Sequence, residues 1–181
     1  VGMNFALAAE SHPVQSLGDS RISSFPWSLM VFGGVGTGSE TMRKTLFRPW
    51  DLDTGQLDDH GMVGVAASRQ LVRFWDYFWL ETELGAGYRF EPSRDYSSPE
   101  GWAAIYLKYD GFPWNDYLRT SVGISTGLSL VAEMPPAETD FGAKDVPDEA
   151  ILQHYLSPEI AFSLPEHPEN ELVLRLHHRS S

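Results

Sequence analysis

The end of the sequence holds a histidine and a serine two positions apart. His178 and Ser180 are separated only by Arg179. Residues two apart on an extended strand share a face, with their Cβ atoms roughly 7 Å apart. A serine hydroxyl is a poor nucleophile at neutral pH, but an imidazole within reach can remove its proton as it attacks an ester carbonyl. The pair is therefore a candidate for ester hydrolysis, with Ser180 as nucleophile and His178 as general base.

A predicted strand over Glu171 to Arg179 positions this pair. Side chains of a strand point alternately to opposite faces, and the residues here alternate between two sets. One set is Leu172, Leu174, Leu176, His178 and Ser180, and the other is Val173, Arg175, His177 and Arg179. His178 and Ser180 are thus expected on the apolar face. His177 is expected on the opposite face, as a core partner of a glutamate or a tyrosine.

The clearest alternation lies between Tyr117 and Val131. One set contains Leu118, Thr120, Val122, Ile124, Thr126, Leu128 and Leu130, and the other contains Arg119, Ser121, Gly123, Ser125, Gly127 and Ser129. Globular strands usually run ~5–6 residues, whereas a tilted strand that crosses a bilayer takes ~9–11. The segment predicts a membrane-spanning strand with its small and polar residues turned inward.

Five further segments alternate in the same way, although less cleanly. They are Trp27 to Gly36, Gly61 to Gln70, Phe78 to Phe90, Trp102 to Tyr109 and Leu152 to Leu164. The total is seven strands, with no helical periodicity of comparable strength. Short turns are predicted at 71–74, 110–116 and 165–170, and longer acidic or proline-rich loops at 38–59, 91–100 and 133–150. Short turns on one side and long loops on the other are typical of outer-membrane barrels.

Aromatic residues accumulate at both ends of the predicted strands, where a barrel meets the two membrane interfaces. On the turn side they are Trp27, Phe74, Trp75, Tyr77, Phe112, Trp114 and Tyr117, and on the loop side Tyr88, Phe90, Tyr96 and Trp102. The predicted fold class is therefore all-β, an antiparallel up-and-down outer-membrane β-barrel. A soluble antiparallel barrel or sandwich also alternates and is the competing fold.

An odd number of strands conflicts with closure in lipid, because bacterial single-chain barrels have even strand numbers. We therefore expect eight strands in the parent protein, with the last strand missing after Ser181. Residues 1–9 resemble the end of a signal peptide, with small residues at a plausible cleavage site. The expected organisation is a signal-peptide remnant at 1–9, an N-terminal leader at 10–24 and a C-terminally truncated barrel domain at 25–181.

Composition excludes several functions. The formal net charge of −12 over 181 residues argues against nucleic acid as a partner, since phosphate binding needs a basic surface. The absence of cysteine excludes a disulfide framework and a thiolate metal site. His60 and His154 have no partners at metal-ligand spacing, so no metal or other cofactor is expected.

Charged residues occupy the inward set of the predicted strands. They are Glu81, Glu83, Arg89, Lys108, Arg119, Glu159 and Arg175. The interior of an eight-stranded barrel is filled by side chains, and buried charges must be paired. We expect an internal salt-bridge network, with a proton or ion path as the alternative.

Two glycine-containing segments resemble known ligand-binding loops but lack residues that those loops require. Asp51 to Gly55 is similar to the start of a calcium loop, but its glycine comes one position early and Met62 stands where the closing glutamate belongs. Gly33 to Gly38 lacks the helix and lysine of a phosphate loop, and is better explained as a curved barrel strand.

The His178-Arg179-Ser180 pattern at the extracellular end of the penultimate strand of a small barrel resembles the lipid A 3-O-deacylases of the PagL type. The resemblance implies an eight-stranded barrel in the bacterial outer membrane, with a serine–histidine site on its outer wall. It implies Ser180 as nucleophile, His178 as base, no metal, and an orienting acid that would lie beyond Ser181. The partner is then lipid A or another outer-leaflet lipid, and a homodimer stays open. The alternative is a non-catalytic small barrel of the OmpA or OmpX kind, serving envelope stability or adhesion.

Overall fold

The computed structural model describes residues 2–10, 26–37, 57–133 and 151–180. The strands are β1 (Gly2–Glu10), β2 (Trp27–Thr37), β3 (Leu57–Phe74), β4 (Phe78–Glu91), β5 (Tyr96–Tyr109), β6 (Arg119–Val131), β7 (Leu152–Leu164) and β8 (His167–Ser180). Among the described residues, helical geometry occurs only in a 3-10 turn at Pro92–Arg94 and at the single residue Ile151. No helix in these ranges is long and apolar enough to cross a membrane.

Each strand pairs antiparallel with the next along the chain, and the sheet closes into a barrel. The predicted all-β, up-and-down barrel architecture is confirmed. The alternation explains why, because period-two patterns fix which face of each strand turns toward the interior.

Closure differs from the prediction of a missing last strand. The strand beside β8 is β1, which pairs with β8 from Gly2 opposite His177 to Ala9 opposite Asn170 and also pairs with β2. Its sequence alternates Met3, Phe5, Leu7 and Ala9 with Asn4, Ala6, Ala8 and Glu10. The small residues of that second set are also what imitates a signal-peptide cleavage site. Removal of residues 1–9 stays a prediction, and residues 11–24 of the predicted leader lie outside the described residues.

The strand ends also shift relative to the prediction. Residues 71–74 belong to β3, and the turn to β4 lies at 75–77, where Trp75 and Asp76 have φ of 50° and 63°. The predicted loop at 91–100 is wrong, since β4 and β5 are joined by the 3-10 turn and Asp95. The connection from β7 to β8 is only residues 165–166, rather than 165–170. Most of the other two predicted loops, residues 38–56 and 134–150, lies outside the described residues.

The glycines of β2 confirm the strand interpretation of that segment. Gly33 to Gly36 lie inside β2, and a Cβ on Gly36 would fall 1.6 Å from Nε2 of His60. Glycine here permits a close approach of a neighbouring side chain to the strand. The phosphate loop that the sequence already disfavoured has no structural basis at these residues.

Charged and polar side chains share the interior of the barrel with an apolar cluster, and large apolar side chains cover the outside. On β6, Ile124, Leu128 and Leu130 are 51–55% exposed, whereas Ser125 and Ser129 are 2% and 0% exposed. The same contrast extends around the wall, where large aliphatic side chains are exposed: Leu29, Val31, Val63, Val65, Leu84, Ile105, Leu152 and Leu172. Soluble proteins rarely expose apolar patches beyond a few hundred Å², so this outer wall is unusual for a protein surrounded by water.

Arg175 is the centre of an ion-pair network inside the barrel. Its guanidinium donates to Oε2 of Glu159 at 2.9 Å and 2.5 Å and to Oε1 of Glu83 at 2.8 Å. Lys108 Nζ lies 2.8 Å from Oε1 of Glu159 and 3.0 Å from Oε1 of Glu81. The predicted internal salt-bridge network is confirmed for these residues.

A second interior cluster surrounds Glu100, which pairs with Val131 at the end of β6. Its carboxylate accepts from His177 Nε2 at 2.7 Å, from Ser129 Oγ at 2.5 Å and from the guanidinium of Arg89. The imidazole of His177 also packs on Tyr155, with ring centroids 4.7 Å apart. The prediction that His177 is a core partner of glutamate or tyrosine is confirmed, since it contacts both.

Candidate functional site

The outer wall carries a group of polar residues where β6, β7 and β8 approach the end of the barrel that holds the β6–β7 connection. Register places His154 opposite Ser180 and Leu156 opposite His178. Directly paired residues of an antiparallel sheet lie on the same face. His178, Ser180 and His154 therefore occupy neighbouring positions of one face.

His178 belongs to the outward set of β8. The residues on either side of it, His177 and Arg179, are both buried in the interior, whereas His178 is half-buried. Its Nδ1 is buried and has no hydrogen-bond partner among the described residues. A ring nitrogen in this state lacks the group that normally fixes the orientation of a catalytic imidazole.

Ser180 is the last residue of β8, and its backbone pairs with β7 at His154. The register gives Ser180 and His178 the same parity, as the alternation of the sequence predicts. Their catalytic roles stay a prediction.

His154 and Thr126 are the residues that sequence reasoning missed. His154 is exposed, and its Nε2 lies 2.9 Å from Oγ1 of Thr126 on β6. From the sequence, His154 was weighed only as a metal ligand without partners at the right spacing. The signal that identifies it is the alternation along β7, because His154 shares the outward face with Leu152 and Leu156.

Aliphatic residues occupy the positions next to this polar group. Leu128 pairs with His154 on the β6 side and is 55% exposed. Leu152 lies two residues before His154, Leu156 pairs with His178, and Leu176 lies two residues before His178. We call Thr126, His154, His178 and Ser180 together the outer-wall site.

The Glu100–His177 pair inside the barrel has the residue types of a catalytic acid and base but not the access. The side chains of His177 and Glu100 are 1% and 0% exposed. The neighbouring Ser129 hydroxyl donates to Glu100 rather than facing the imidazole as a nucleophile would. This cluster has a structural role in packing the interior.

No group of three or more metal-ligating side chains occurs within the parts of the chain that the structure describes. The calcium-like segment Asp51 to Gly55 lies outside those parts.

Comparison of the chain with protein-family models, with characterised proteins and with solved structures gave no match.

Proposed function

We propose that this chain forms an outer-membrane barrel that hydrolyses an ester-linked acyl chain of lipid A, with Ser180 as nucleophile and His178 as general base. The single observation that carries the proposal is the position of the outer-wall site. His154 and His178 lie on the apolar outer face at positions that flank Ser180, and a lipid rather than a dissolved molecule would reach this group.

The inside-out distribution of side chains supports the membrane part of the proposal. Buried ion pairs lie in the interior beside an apolar cluster, with Arg175 only 5% exposed, while Leu84 on the outer wall is 69% exposed. Lipid-facing apolar residues and an inward polar set are what a membrane barrel requires. The bacterial outer membrane is the location that houses barrels of this size.

The aromatic residues at the turn end support the same location. Five of them are exposed there: Trp27, Trp75, Tyr77, Trp114 and Tyr117. Amphipathic rings prefer the headgroup level of a bilayer. At the other end Trp102 was predicted to belong to the loop-side belt, but it is buried and donates from Nε1 to Oε1 of Glu83 at 2.7 Å.

The chemistry follows from the residue types. His178 would take the proton of the Ser180 hydroxyl as the oxygen attacks the ester carbonyl, and would return it to the leaving alcohol. Lipid A presents ester-linked acyl chains at the outer leaflet, and the resemblance of the His178-Arg179-Ser180 pattern to lipid A 3-O-deacylases directs the proposal to this substrate.

Expression of the full-length protein in the outer membrane of a Gram-negative host tests this function. We expect mass spectrometry of extracted lipid A to show a species lighter by one ester-linked acyl chain, absent from cells with an empty vector. Heat-dependent mobility on a gel would verify that the barrel is folded. An unchanged lipid A profile alongside a folded barrel would reject the hydrolase and favour the non-catalytic barrel of the OmpA or OmpX kind.

The membrane part has a separate test in Leu84→Arg, at the middle of β4. An arginine facing lipid at the bilayer midplane costs ~2–4 kcal/mol, but only ~0–1 near an interface. We expect Leu84→Arg to lower the free energy of unfolding in phospholipid vesicles by ~2–4 kcal/mol. Leu164→Arg, at the turn end of β7 where Leu164 is 54% exposed, is the matched control and should change it by ~1 kcal/mol or less.

A water-exposed wall predicts a different result for this pair. Surface substitutions in water usually stay within about 0.5 kcal/mol, so both variants would then unfold like the wild type. Equal behaviour of Leu84→Arg and Leu164→Arg would therefore favour the soluble barrel.

A further inference from the structure

Ester hydrolysis needs a hydrogen-bond donor for the oxyanion that forms on the attacked carbonyl, and the strand backbone is a poor source here. His154 pairs with Leu128 of β6 on one side and with Ser180 of β8 on the other. Along such an interior strand the N–H groups are committed to the two ladders. Strand N–H groups also point along the sheet rather than out of its face, so a side chain is the better-placed donor on the outer wall.

We infer that His154, held by Thr126, donates a hydrogen bond to the carbonyl oxygen of the ester that Ser180 attacks. The inference rests on the proposed function, and it assigns the oxyanion donor of that same site. Without it, the site would contain a nucleophile and a base but no group to stabilise the developing negative charge.

Register makes His154 the nearest cross-strand neighbour of Ser180. The Cβ atoms of directly paired residues lie ~4.5–5.5 Å apart, whereas those of residues two apart on one strand, such as His178 and Ser180, are roughly 7 Å apart. The two histidines thus occupy positions beside Ser180 in different directions, one along β8 and one across on β7. A base and an oxyanion donor need this separation, because the hydroxyl proton and the carbonyl oxygen lie on different sides of the attacking atom.

Thr126 can give His154 the tautomer that this role requires. The hydroxyl of Thr126 is 2.9 Å from Nε2 of His154 and can donate to that nitrogen. When Nε2 accepts, the ring proton resides on Nδ1, which becomes the donor. Thr126 is therefore a positioning residue, and His154 is the group that contacts the reacting oxygen.

The step balances with groups of the site and water. The Ser180 oxygen bonds to the carbonyl carbon, its proton passes to His178, and the carbonyl π electrons move to the oxygen that accepts from Nδ1–H of His154. Collapse of this intermediate breaks the ester C–O bond, and His178 returns the proton to the sugar hydroxyl that leaves. Water then attacks the acyl-serine by the same route and releases the fatty acid.

Two substitutions of His154 separate this role from that of a base. In Asn the side-chain NH₂ occupies nearly the position of Nδ1–H and can donate, but it cannot take a proton, whereas Leu can do neither. With purified full-length protein acting on lipid A in detergent micelles, we expect His154→Leu to lower kcat by ~10²–10³-fold with KM little changed. His154→Asn should retain most of the wild-type kcat and the same dependence of kcat/KM on pH.

Thr126 supplies an independent readout. Thr126→Ser keeps the hydroxyl and should keep wild-type kcat, while Thr126→Val removes only the hydroxyl and should lower kcat toward the value of His154→Leu. Gel mobility with and without heating would show that every variant is folded. A purely structural contribution of Thr126 would alter folding without separating kcat from KM.

The outcomes distinguish the inference from the function on which it rests. Wild-type kcat in His154→Leu, together with inactive Ser180→Ala and His178→Gln, would overturn the inference alone. An equal loss of kcat in His154→Asn and His154→Leu, with a changed acidic limb of the kcat/KM profile, would make His154 the base. That result would also overturn the inference. An inactive but folded wild type would overturn the proposed function and this inference together.

Discussion

Ser180→Ala is expected to abolish deacylation of lipid A while the barrel folds normally. The alanine removes the only oxygen that would bond to the carbonyl carbon, and loss of a serine nucleophile lowers kcat by ~10⁶-fold in a well-studied hydrolase. Ser180 is the last residue of β8, so the substitution leaves the strand pairing intact. Mass spectrometry of lipid A from cells that express the variant should match the empty-vector profile.

A serine and a histidine elsewhere on the barrel provide matched controls. Ser97 is an exposed serine near the start of β5, where its Oγ accepts from the hydroxyl of Tyr88 at 2.8 Å. His167 is an exposed histidine at the start of β8. Ser97→Ala and His167→Gln should both deacylate lipid A like the wild type, whereas His178→Gln should not. Persistent deacylation by Ser180→Ala would remove Ser180 from the mechanism.

The alternation of residue types is informative because it acts at every position of a strand. A one-residue error in phase would place every side chain on the wrong face, so the phase set at Tyr117 to Val131 is strongly constrained. The same rule correctly separated His177 from its neighbour, and it predicted Arg175 and Glu159 as paired interior charges. The pattern therefore predicted whether each side chain points into the barrel or outward.

The errors have local physical causes. β1 was missed because its small residues, Ala6 and Ala8 in one alternating set and Ala9 in the other, fit a cleavage site as well as a strand. The 92–95 turn was missed because Pro92 and polar residues indicate a loop without giving its length, and Asp95 allows a tight connection through its φ of 50°. Trp102 was placed in an interface belt by residue type alone, although its parity relative to Ala103 already turned it inward.

Two of the four residues of the outer-wall site could be predicted from the sequence, and two could not. His178 and Ser180 are two residues apart in the sequence, so their proximity follows from strand geometry. Thr126 and His154 are separated by 28 residues, and their contact depends on the register between β6 and β7. Register is set jointly by the turns and by side-chain packing, which a periodic pattern does not specify to a single residue.

Arg175→Met is expected to destabilise the barrel strongly. The side chain of Arg175 is 4% exposed and contacts both Glu83 and Glu159, while its Cζ lies 4.9 Å from the ring centroid of Tyr106. Methionine fills similar space but leaves the two carboxylates with fewer positive partners in a buried site. Removing one partner of a buried ion pair costs ~3–5 kcal/mol, and denaturant unfolding of the refolded protein would measure that loss.

A triple variant shows whether the loss comes from charge or from packing. Arg175→Met combined with Glu83→Gln and Glu159→Gln removes the carboxylate charges as well, and an uncompensated buried charge is the main cost of breaking an ion pair. We therefore expect the triple variant to recover most of the lost stability. Arg69→Met, on the exposed face where Arg69 lies 5.4 Å from the Trp27 ring centroid, should cost less than about 1 kcal/mol. If Arg175→Met unfolded like Arg69→Met, the interior network would not hold the barrel together, and the fixed register on which the outer-wall site depends would need another source.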